Sequence, residues 1–92
     1  MKSEVVTTNE ESANRRKGSE LKPGDAGSII HIDTRDEAGV RKLLSLGVAE
    51  GRPIQCLTTW PVPSFLIGYS EVAFDRELTE LFHVELTAPK TT

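Results

Sequence analysis

The residues best suited to chemistry in this chain are two histidines and the acids near them. His31-Ile32-Asp33 and His83-Val84-Glu85 are both His-x-acid pairs. Each falls in a stretch that reads as a strand, where side chains two apart share a face. If those strands are neighbours, His31, Asp33, His83 and Glu85 offer four nitrogen and oxygen ligands to one divalent transition metal, with ferrous iron the ion considered. The same alternation puts polar residues on the solvent side of any half-buried strand, which is the simpler reading of both pairs. The single cysteine, Cys56, allows no internal disulfide and no CxxC or zinc framework. It stands in an apolar strand with no charge beside it in sequence, the pattern of a buried, inert thiol. Asp33 and Asp36 are three apart but flank a helix start, where carboxylates suit the helix dipole. No G-x-S-x-G or glycine-rich phosphate loop occurs. These residues predict no catalytic site, and the chain reads as a non-enzyme.

The elements around them are clear in outline. Leu21-Lys22-Pro23-Gly24-Asp25 predicts a type II turn with Gly24 at its third position. Ala26 to Asp33 reads as a strand rich in isoleucine, and Gly27 near its start marks a bulge or a close backbone approach. Thr34 to Glu37 has the T-x-x-E form of a capping box. Val40, Leu43 and Leu44 then share one helix face, and Gly47 supplies a left-handed stop. Further strands are predicted over 52–59, 64–69 and 72–74. Leu78, Leu81 and Phe82 mark a brief helix, and Val84 and Leu86 a last strand. The order is strand, helix, three strands, short helix, strand. This predicts a mostly β domain with short helices. A small SH3-like barrel of about five strands, its helix inserted after the first long strand, is the leading architecture, and an open α+β sheet is the alternative.

The chain has 92 residues, enough for one domain. Residues 1–19 read as a disordered polar tail, 20–88 as the barrel domain and 89–92 as a polar end. Arg15-Arg16-Lys17 in the tail is a small basic cluster, read as solvated. Net charge is −3 and the pI about 5.3. That acidity argues against a nucleic-acid partner, which requires neutralised phosphates. With 37% apolar residues and a mean hydropathy of −0.30, no run is long enough for a membrane span, and the first twenty residues lack the apolar core of a secretory signal. The expected location is therefore cytoplasmic.

Several of these pieces, taken in order, resemble the FeoA family of bacterial ferrous iron transport. Leu21-Lys22-Pro23-Gly24-Asp25 is similar to the family's opening L-x-P-G-D. Arg41-Lys42-Leu43-Leu44-Ser45-Leu46-Gly47-Val48 is similar to its R-x-x-L-x-x-L-G-hydrophobic segment. Glu50 to Leu57 and Val72 to Leu78 resemble the strand that follows and the closing segment. The resemblance covers roughly residues 20–87. It departs at Thr59-Trp60-Pro61-Val62-Pro63-Ser64, where the family usually shows a P-L-G-D-P-like turn.

The resemblance implies an SH3-like fold and an accessory, non-enzymatic role in ferrous iron uptake. It implies binding to the cytoplasmic domain of the system's membrane GTPase permease, with self-association as a further mode. The location would then be cytoplasmic, peripheral to the inner membrane through that partner. The candidate partner-binding residues are Leu43, Leu46, Gly47 and Trp60. Leu46 lies just outside the cleanest helix face and with Leu43 forms either a partner-facing edge or part of the core. Trp60 either folds over the barrel end or anchors an interface. Other readings are a metal-responsive regulatory module and a generic SH3-like peptide binder, for which the aromatic content is low.

Overall fold

The computed structural model describes residues 14–87, so the expectations for 1–13 and 88–92 lie outside the described residues. The chain runs β1 (Arg15–Lys17), a 3₁₀ turn (Gly18–Glu20), β2 (Ala26–Ile32), α1 (Glu37–Ser45), β3 (Pro53–Thr58), β4 (Ser64–Ile67), β5 (Ser70–Ala73), α2 (Arg76–Thr79) and β6 (Phe82–Leu86). Every strand pairing is antiparallel, in the order β1-β6-β2-β3-β4-β5. The mostly β architecture with one helix after the first long strand is as expected. Among the described residues the strands number six, against about five expected, and the hydrogen-bonded ladder leaves β1 and β5 as edges instead of closing.

The extra strand falls at the end of the stretch expected to be a disordered tail. Three polar residues give no hydrophobic alternation to read. They are ordered by pairing with β6, Arg15 opposite Glu85 and Lys17 opposite His83. The turn that follows is fixed by a Lys17 N–H bond to Glu20 Oε1 at 2.9 Å. Gly18 lies flat on the ring of Phe82, so close that a Cβ would sit 2.3 Å from Cζ. At the next turn, Asp25 N–H donates to the Lys22 carbonyl at 2.9 Å and Gly24 has φ +96°, the type II geometry its Pro-Gly pair predicts.

Helix α1 begins differently from expectation. Asp36, not Thr34, is the N-cap, accepting from Gly39 N–H at 2.9 Å. The T-x-x-E box does not form, because the helix starts two residues later with the Asp36 carboxylate as its cap. Its end is as predicted. Gly47 has φ +99°, its N–H donates to the Leu44 carbonyl, and Val48 N–H donates to the Leu43 carbonyl, both at 3.0 Å. That is a Schellman stop, with Leu43 and Val48 both fully buried in the accompanying apolar contact.

The rotation of α1 corrects the predicted inner face. Gly39 and Leu43 are buried, while Leu44 is 53% exposed. Gly39 packs against Leu81, where even a Cβ would lie 2.5 Å from Cδ1. The inward stripe is therefore Gly39 and Leu43 with the partly buried Val40 and Leu46, while Leu44 alone of the predicted face turns outward. Leu43→Ala should cost about 2–5 kcal/mol, whereas Leu44→Ala should change stability by roughly 0.5 kcal/mol or less. Urea denaturation of the two variants side by side measures the difference, and equal costs would contradict this rotation.

Three phenylalanines form the centre of the core. Phe65, Phe74 and Phe82 have ring centroids 5.3, 5.8 and 5.9 Å apart and are almost wholly buried. Ile29, Ile32, Ile54, Cys56, Ile67 and Val84 pack around them.

Candidate functional site

The outer face of the β1-β6-β2 part of the sheet carries the histidines. The β2–β6 register shifts between Ile29 and His31. Strict alternation would place His31 on the same side as Ile29. The irregularity instead turns His31 to solvent and buries Ile32. His31 then stands directly opposite His83, with ring centroids 5.5 Å apart and planes tilted by 59°.

The structure brings these two expected ligands together but not the other two. The Asp33 carboxylate is held by Arg35, through Nε at 2.9 Å and Nη2 at 2.7 Å, and also accepts from the Arg35 backbone N–H at 3.0 Å. These bonds hold the carboxyl well below the usual carboxylate range. Glu85 is two residues farther along β6, opposite Ser28 and Arg15. Among the described residues, no group of three or more His, Cys, Asp or Glu is placed to hold a metal ion. The four-ligand arrangement expected from sequence is therefore not formed in this geometry.

The expected partner-binding residues also separate. Leu43 is fully buried and belongs to the core. Leu46 packs on the core and Gly47 is half-buried at the helix stop. Trp60 is 77% exposed, so it does not fold over the end of the sheet. Its loop is braced from several sides. Thr58 Oγ1 donates to the Trp60 carbonyl at 3.0 Å and accepts from Trp60 N–H at 3.3 Å. Arg76 Nη2 donates to the Pro61 carbonyl at 2.8 Å, and Phe74 N–H to the Pro63 carbonyl at 2.9 Å. A cleft of about 260 Å³ opens beside this loop, between Gly18, Ser19, Thr59, Arg76 and Glu80.

Three exposed apolar residues escaped the sequence reading: Leu44, Val62 and Tyr69. Leu44 lines a shallow groove with Val40, Glu37 and Arg41 on the outer side of α1. The spacing of 37, 40, 41 and 44 marks that second helix stripe in the sequence. Val62 adjoins Trp60 in the braced loop, and Tyr69 sits at the β4–β5 turn.

Cys56 is fully buried, and burial pushes its thiol up from the ordinary value. No helix among the described residues is long and apolar enough to cross a membrane.

A family model, the FeoA domain, matches residues 19–86. The chain belongs to the FeoA domain family. The crystal structure of an iron uptake regulatory protein, FeoA, matches this FeoA domain with a TM-score of 0.72 at 27% identity, over 79% of this chain and 99% of that one. FeoA from Stenotrophomonas maltophilia, complexed with zinc, matches with a TM-score of 0.62 at 19% identity, over 73% of this chain and 86% of that one. That protein is described as a prokaryotic SH3 domain protein and proposed as an activating factor for ferrous iron transport. A manganese-dependent transcriptional repressor matches with a TM-score of 0.73 at 18% identity, over 79% of this chain but 42% of that one. No curated protein matches the sequence. The FeoA domain here is thus SH3-like, with its ladder open at both edges. Strand β1 lies ahead of the matched span.

Proposed function

We propose that this chain is a non-enzymatic accessory and regulatory protein of bacterial ferrous iron uptake, acting by binding the cytoplasmic domain of a membrane GTPase permease. It then works in the cytoplasm, at the inner membrane only through that partner. Membership of the FeoA domain family supports the iron-transport reading. The observation that carries the binding mode is Trp60, a large aromatic side chain 77% exposed on a loop fixed by Thr58, Phe74 and Arg76. Aromatic anchors of this kind dominate interface energetics, and a braced loop loses little entropy when it docks. Val62 extends the apolar contact.

The test is a calorimetric titration of this protein into the purified, nucleotide-loaded cytoplasmic domain of the permease. Binding is expected, and Trp60→Ala should weaken it by at least about 2 kcal/mol, roughly 30-fold. Thermal unfolding of the variant should match that of the parent, because the indole is exposed. Absence of binding by the parent protein contradicts the partner. Unchanged affinity of Trp60→Ala contradicts the docking loop.

A further inference from the structure

We propose that His31 and His83 form a two-imidazole site for a divalent first-row transition ion, on the open face of the sheet, with its remaining coordination positions free. This goes beyond the transport reading and does not depend on the permease.

The placement is built by the backbone. An irregularity in β2 turns His31 outward, and antiparallel pairing sets it directly across from His83 on β6. Two imidazoles bound to a tetrahedral ion, with metal–nitrogen distances of about 2.0–2.1 Å, have ring centres roughly 5 Å apart. The rings here are 5.5 Å apart, so side-chain rotation suffices to aim one nitrogen of each at a shared ion. Among the described residues, neither imidazole is engaged by a hydrogen bond to a side chain or carbonyl, and each has the other as its ring neighbour.

The charges around the pair leave it accessible to a cation. Lys17 on β1 stands opposite His83, but its Nζ is turned to Glu80 Oε1 at 3.5 Å. Arg35 is neutralised by Asp33. Arg15 and Glu85 face each other one row farther along the sheet. With Asp33 clamped by Arg35, the described residues supply two nitrogen donors and no carboxylate. Imidazole donors suit zinc, nickel and copper, and the general order of divalent affinities places ferrous iron below nickel and copper. The open positions accept water, or a donor from a docked partner.

Titration of the full chain with zinc sulfate, followed by calorimetry and by imidazole NMR resonances, tests the proposal. One ion per chain should shift the resonances of both His31 and His83. His31→Ala and His83→Ala should each weaken binding at least tenfold, while Asp33→Asn and Glu85→Gln should change it less than threefold. Zinc should also raise the unfolding temperature of the parent protein but not of His31→Ala, because the ion links β2 to β6 only when both rings are present. His31 is exposed, so its variant tests the site even if His83→Ala fails to fold. Affinity within threefold of the parent in His31→Ala overturns the proposal. A loss in Asp33→Asn as large as that in His31→Ala also overturns the two-imidazole site and replaces it with one that includes the carboxylate.

Discussion

Phe82→Ala should remove about 3–5 kcal/mol of stability, the range for deleting a fully buried phenylalanine. The total for 92 residues is about 5–14 kcal/mol, so this one substitution leaves the domain near its unfolding threshold. The expected size follows from what the ring touches. Phe82 makes edge-to-face contacts with both Phe65 and Phe74, at 5.9 and 5.8 Å. Such pairs contribute beyond the apolar area they bury. The ring is also the floor on which Gly18 rests. Its removal opens a cavity and undercuts the turn that leads out of β1. Urea denaturation measures the loss. A cost below about 1.5 kcal/mol would mean that the core collapses around the void and that the aromatic cluster is not central.

Gly27→Ala should cost about 3 kcal/mol, at the upper end of the range for overpacking. A Cβ at this position would lie 2.0 Å from the Glu85 carbonyl oxygen and 2.9 Å from Leu86 Cα. Both obstacles are backbone, so no rotamer change relieves them, and β2 and β6 must separate locally. Gly51→Ala is the matched control. Nothing lies within 4 Å of its added Cβ, and the penalty there comes only from φ +90°. That variant should lose about 1 kcal/mol. Hydrogen exchange of the β2 and β6 amides should quicken in Gly27→Ala and not in Gly51→Ala. Equal stability of the two variants would contradict the close β2–β6 approach.

Much of this fold is readable from particular residues. Pro23-Gly24 predicts its turn, and Gly47 followed by Val48 predicts a helix stop. Gly27 signals a close backbone approach without saying what approaches. The β-branched and aromatic runs predict β2, β3, β4 and β6 to within a few residues. Three features escape, each for a physical reason. β1 has no hydrophobic pattern, since its order comes from backbone pairing and from Gly18 on Phe82. The rotation of α1 is set by Gly39 against Leu81. Periodicity counted on large apolar residues cannot weigh a glycine that faces inward because it is small. The irregularity in β2 leaves no mark in a sequence of consecutive isoleucines, yet it decides that His31 faces solvent.

The candidate site divides along the same lines. That His31 and His83 lie on neighbouring strands is a condition the sequence reading could only pose, and their shared face depends on the β2 irregularity. That Asp33 is taken by Arg35 is not legible, because the residues are two apart in a loop whose geometry the pattern does not set. Trp60 was open to two readings in sequence, and exposure favours the interface. For Leu43 the sequence allows a partner-facing edge or the core, and it lies wholly in the core. The exposed apolar surface of the proposed docking loop is Trp60 with Val62.

The proposed role of this FeoA-domain protein in ferrous iron uptake rests on docking through the Trp60 and Val62 loop. Uptake of radiolabelled ferrous iron by cells lacking the protein, complemented with the parent chain or with Trp60→Ala, tests it most directly. Deletion should slow uptake, the parent chain should restore it, and Trp60→Ala should fail to restore it while accumulating to the same level as the parent. Uptake that is unaffected by deletion, or fully restored by Trp60→Ala, would contradict the proposed role.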